Sequence, residues 1–105
     1  MRVAPKSADR YNNRAWLWAT CPDARFRDGK RSVESVTKAC ELSNWKRPTI
    51  IDTLASACAE AGDFEQAVKR QSQAIELLTD AKEKEDFATR LKLYREKKPY
   101  RETAP

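Results

Sequence analysis

The chain has 105 residues, three cysteines (Cys21, Cys40 and Cys58) and no histidine. A catalytic thiol needs cations that lower its pKa and a base that takes its proton. Cys21 has Arg25 and Arg27 nearby in sequence, but the commonest general base is missing. The close acids Asp63 and Glu65, and Glu83 and Glu85, open amphipathic stretches, where the helix dipole favours them. No apolar run surrounds either pair to raise a pKa. A tetrahedral zinc site without histidine needs four thiolates or added carboxylates, and three cysteines cannot supply the first. No glycine-rich phosphate loop is present. The residue types therefore predict no enzyme, no cofactor and no metal.

Cysteines that are odd in number and far apart do not make a disulfide framework. They suit small buried apolar residues in a reducing compartment such as the cytoplasm. Cys40 and Cys58 fall on apolar stripes and are expected to be buried, with Cys21 the most exposed.

Two glycines and five prolines, with many Ala, Glu, Lys and Arg, favour helix throughout. No alternating β-branched run is flanked by turns. The length suits one small domain with a modest core. No apolar run reaches roughly 18 residues, so no membrane span is predicted. The start, MRVAPKSADR, lacks an apolar signal core. The net charge is +5 and is uneven. Residues 1–47 hold eleven Lys and Arg against five acids, and residues 48–105 hold ten against eleven. A basic half raises the alternative of a polyanion or nucleic-acid accessory domain. The basic residues are scattered, however, with no run of five, which is also the pattern of a solvated helical surface.

The elements that would position a site are helices. Ile51, Leu54, Ala55 and Cys58 lie at i, i+3, i+4 and i+7, one helical face. Gly62 suits a left-handed helix end. Asp63 and Gln66 then form a capping box that starts another helix. Phe64, Ala67, Val68, Gln71, Ile75 and Leu78 keep helical spacing along it. Helices joined this tightly fold back on each other. Upstream, Tyr11, Ala15 and Trp18 mark a helix that Pro22 ends, with Ser7 as its cap. Asp28 caps a helix running to Leu42. Pro48 suits a first helical turn, and Thr49 with Asp52 forms a second capping box. Asp80 with Glu83 forms a third, opening a last helix with Phe87, Leu91 and Tyr94 inside. Pro99 stops it, and Tyr100 is placed to fold back. Five helices are predicted, near 8–20, 29–43, 49–61, 64–78 and 81–97. Residues 1–6 form a disordered leader and 99–105 a loose tail. VESVTKACEL from Val33 aligns with VKRQSQAIEL from Val68, an internal repeat.

The stretch from Ile50 to Leu78 resembles a tetratricopeptide repeat (TPR). Leu54 and Ala67 match the family pattern outright. Ile51 stands for its Trp, Ala55 for its Gly, and Gly62-Asp63-Phe64 for its Gly-Asp-Tyr turn. Cys58, Gln71 and Thr79 depart from the Tyr, Phe and Pro of the pattern. The resemblance implies an all-α, TPR-like α–α superhelix of antiparallel hairpins. It would comprise repeat one (7–42), repeat two (48–79) and a capping helix (80–98).

It also implies a protein-protein interaction scaffold. In this family the first helix of each repeat lines a concave groove in which peptides lie. By position, that groove would show Asn12, Asn13 and Trp16 in repeat one and Asp52, Ser56 and Glu60 in repeat two. Lys92 would be added by the capping helix. An asparagine amide can donate to and accept from an extended backbone, and Trp16 could anchor an interface. The other readings pack Trp16 against Trp45 and leave the asparagines capping or facing water. A partner protein or peptide is thus expected, or a second copy, since arrays need about three repeats. The chain could equally be the end piece of a longer repeat protein.

Overall fold

The computed structural model describes residues 5–23, 25 and 27–100. Among them are five α-helices and no strand: α1 (Pro5–Thr20), α2 (Gly29–Leu42), α3 (Pro48–Glu60), α4 (Phe64–Leu77) and α5 (Ala81–Arg95). Each helix packs on the next, and α1 also packs on α3. The all-helical reading and the five boundaries agree with the sequence to within three residues.

Helix α2 and helix α4 start and stop 35 positions apart. Their caps obey the same offset: Asp28 accepts from the Arg31 N–H and Asp63 from the Gln66 N–H, both at 3.1 Å. The aligned apolar positions therefore correspond to aligned helices. At the amino end, Pro5 and Lys6 belong to α1 rather than to a leader. A proline is favoured in a first helical turn because it has no N–H to leave unbonded. Ser7, expected as the cap, lies inside the helix, and residues 1–4 lie outside the described residues.

Three helices end alike. Beyond α2 the chain takes two left-handed residues, Asn44 (φ 56°) and Trp45 (φ 58°), and beyond α3 and α5 it takes one each, Gly62 (φ 89°) and Lys97 (φ 60°). At each end two N–H groups reach back into the last turn. At α3 these are Gly62 to Ala59 O (3.1 Å) and Asp63 to Cys58 O (2.8 Å). At α2, Trp45 donates to Cys40 O (2.9 Å), and at α5, Lys98 donates to Leu93 O (2.9 Å). This is the Schellman arrangement, which satisfies carbonyls the helix leaves over. Only one of the three uses glycine, so only that one is visible in the sequence.

Helix α3 is the centre. Every residue from Ile50 to Ala59 is buried, as suits a helix apolar on most sides. Its neighbours come close because the contacts are small: Ala15, Ala19, Ala39, Ala55, Ala67 and Ala74 are fully buried. Ser32 and Ser35 fasten α2 to α1 by donating to Ala15 O (2.6 Å) and Tyr11 O (2.9 Å). Gly29 lets the start of α2 meet the end of α3. A Cβ there would stand 2.7 Å from the Ala61 nitrogen.

One capping box is corrected. Helix α3 has Arg47 as its N-cap residue and no side-chain cap. Asp52 cannot reach back to complete the box, because its carboxylate faces α5 instead.

Candidate functional site

The seven groove residues do not end in one place. Asp52 and Ser56 are buried, with 6% and 1% of their surface exposed, so neither presents itself to a ligand. Each is held by α5. Arg90 donates to Asp52 Oδ1 (2.9 Å) and Oδ2 (3.1 Å). Ser56 Oγ and Tyr94 Oη share a hydrogen bond of 2.7 Å. Asp52 with Ser56, and Arg90 with Tyr94, are each one turn apart, so two rungs join α3 to α5.

Glu60 sits at the far end of α3, half-buried, with Arg27 Nε 3.6 Å away. Lys92 is exposed on α5, and Asn13 is exposed on α1. Asn12 is half-buried, and its Oδ1 is a buried acceptor with no hydrogen-bond partner among the described residues. Trp16, one turn further along α1, is half-buried.

Trp16 meets the far end of the chain. The Tyr100 ring lies 5.7 Å from it, tilted by 39°. Tyr100 thus folds back, and the stretch expected to be loose is packed at Pro99 and Tyr100, both half-buried. Residues 101–105 lie outside the described residues. The Arg90 guanidinium stands 4.9 Å from the Phe87 ring centre, 5.3 Å from Tyr100 and 5.9 Å from Trp16. Those are cation–π distances. Trp16 therefore packs on Tyr100. Trp45 has a different partner, Arg70, at 5.0 Å.

The electrostatics follow from burial. Burial pushes the Asp52 carboxyl above the ordinary carboxylate range, while Arg90 and Gln71 pull it back part of the way. Burial opposes the Arg90 charge, and Asp52 more than restores it. Burial also raises the Tyr94 phenol, while the hydrogen bond with Ser56 pulls it back part of the way. Gln71 is fully buried and donates to Phe87 O at 2.9 Å. A phenylalanine at that position could not make this bond.

Arg90, Gln71 and Tyr100 complete the cluster and lie outside the positions that the groove resemblance marks. Arg90 lies one turn before Tyr94 on the inner face, which is a usable signal. Nothing in the local sequence pairs it with Asp52, 38 residues away.

The cysteines lie as expected: Cys40 and Cys58 are buried and Cys21 is half-exposed, all free. Burial pushes the thiols up, Cys40 to about 12 and Cys58 to about 11.

Besides Arg27, which pairs with Glu60, three more arginines of the basic half have carboxylate partners. Arg25 pairs with Asp23 (2.7 Å), Arg31 with Asp28 (3.6 Å) and Arg47 with Asp9 (2.8 Å). A cleft of about 360 Å³ between α1 and α2 is lined by Tyr11, Arg14, Trp18, Arg31, Glu34 and Ser35. Arg14 stacks there on Trp18 at 5.8 Å. Among the described residues, no helix is long and apolar enough to cross a membrane. Set against protein-family models, curated proteins and solved structures, the chain matches none of them.

Proposed function

We propose that this chain is a TPR-like scaffold that holds a protein segment at the face shared by α1, α3 and α5. The supporting observation is that Trp16 and Arg90, from distant parts of the sequence, form one half-buried surface that already seats an aromatic ring, Tyr100. Trp, Tyr and Arg dominate interface energetics because each offers a large flat surface and a polar handle. In this reading the chain does no catalysis and needs no cofactor. Its free buried thiols fit a reducing compartment such as the cytoplasm.

A polyanion partner has less support. Four arginines of the basic half, Arg25, Arg27, Arg31 and Arg47, carry carboxylate partners of their own, and the α1–α2 cleft contains Glu34.

Two experiments test the reading. A random-peptide display library is selected on the immobilised full chain and on its Trp16→Ala variant. Sequences enriched on the wild type should bind the variant at least about tenfold more weakly, the loss typical of an interface anchor. Single-stranded and duplex nucleic acid are then titrated at about 150 mM salt, where phosphate-driven binding is much reduced. Micromolar nucleic-acid binding under those conditions overturns the reading, as does a library with no Trp16-dependent sequence.

A further inference from the structure

The carboxyl-terminal turn is built to return the chain to α1. Lys97 takes the left-handed conformation (φ 60°), and its N–H reaches Tyr94 O at 3.0 Å. Lys98 N–H closes the motif on Leu93 O at 2.9 Å. Pro99 cannot continue a helix and stiffens the next step. Tyr100 then sets its ring on Trp16 and over Arg90. The shelf beneath that ring is fixed independently of the tail. Arg90 is clasped by buried Asp52, and Trp16 stands on α1. Arg90 has 14% of its side chain exposed, and Asp52 has 8%. A shelf with one flat aromatic wall and a guanidinium held by its own carboxylate takes another aromatic ring. The ring gains stacking and a cation–π contact at once.

We propose that the Trp16–Arg90 shelf is a recognition site for the aromatic side chain of an extended partner segment, and that Tyr100 is its resident occupant. The proposal rests on the peptide-binding reading above and adds the chemistry of the ligand. The seated side chain states the fit: a tyrosine directly after a proline, following Lys97 and Lys98. A partner with the same arrangement displaces the tail. The tail sets a threshold, since a tethered competitor acts at millimolar effective concentration, and partner affinity falls by the fraction of open shelf.

The test uses the full chain and a synthetic peptide spanning Lys97 to Pro105. Binding is read from the Trp16 indole N–H resonance in ¹⁵N-labelled wild type and Tyr100→Ala, with the peptide taken into the millimolar range. The Tyr100→Ala chain should bind the peptide at least about tenfold more tightly than the wild type. A peptide carrying Ala in place of Tyr100 should bind neither. Far-UV circular dichroism establishes that the variant keeps its helices, and a misfolded Tyr100→Ala is replaced by Tyr100→Ser. Equal binding by wild type and variant overturns the proposal, and so does binding by neither. A wild-type chain that is dimeric, with its tail on the other copy, also overturns it. Failure here with Trp16-dependent library peptides in hand removes the role of Tyr100 and leaves peptide binding standing.

Discussion

Arg90 on α5 grips the carboxylate of Asp52 on α3 with two hydrogen bonds, of 2.9 and 3.1 Å, across 38 residues of sequence. Both groups are nearly out of solvent. A paired buried charge is tolerated, whereas a single one is costly. Arg90→Met should therefore cost about 3–5 kcal/mol in chemical denaturation, mainly by stranding Asp52. The double variant Asp52→Asn with Arg90→Met should lose much less than the sum of the two single losses. Additive losses would mean the two residues do not act as a pair.

The two glycines should fail for different reasons. Gly29→Ala would drive a methyl to 2.7 Å from backbone at Ala61. That backbone cannot rotate away, so a loss of about 1–3 kcal/mol is expected, with α2 shifted from the α3–α4 turn. Gly62→Ala meets nothing within 4 Å but must hold φ at 89°. It should cost about 1–2 kcal/mol through the backbone alone. Thermal unfolding of both variants, with amide shifts around Ala61, separates the two mechanisms.

Caps give a graded comparison. Asp63→Ala removes the acceptor for the Gln66 N–H and should cost about 1 kcal/mol. Thr49→Ala, at a site that only resembles a cap, should stay within about 0.5 kcal/mol of wild type. A loss at Thr49 equal to that at Asp63 would contradict the observed start of α3.

Thiol chemistry should follow burial. A thiol reagent at pH 8 should modify Cys21 well before Cys40 and Cys58, because only Cys21 is open to solvent. The folded chain holds the Cys40 and Cys58 protons to about 12 and about 11, against 9.0 for an ordinary thiol. Between those values the unfolded chain binds fewer protons than the folded one, so stability falls as pH rises above about 9. Each thiol can contribute up to about 1.4 kcal/mol per pH unit. Denaturation at pH 8 and pH 10 should show a smaller drop for Cys40→Ala with Cys58→Ala than for the wild type. An equal drop would mean that these thiols do not titrate differently in the two states.

The local grammar of the fold is legible in short stretches of the chain. Apolar spacing of three and four placed Ile51, Leu54, Ala55 and Cys58 on one face, and all four are buried. Asp28, Asp63 and Asp80 marked three helix starts, and each carboxylate accepts the expected N–H. These features depend on neighbours within about two turns, so one stretch of chain carries them. The tertiary structure decided which polar residues meet. Asp52 and Ser56 are polar residues one turn apart on α3, and in the fold they lie buried against Arg90 and Tyr94 of α5. Likewise, the left-handed turns at Asn44 and Lys97 use residues that tolerate many conformations. The second of these turns delivers Tyr100 to Trp16, a contact 84 positions long. Such pairs form when packing brings two helix faces together, and desolvation then selects the partners.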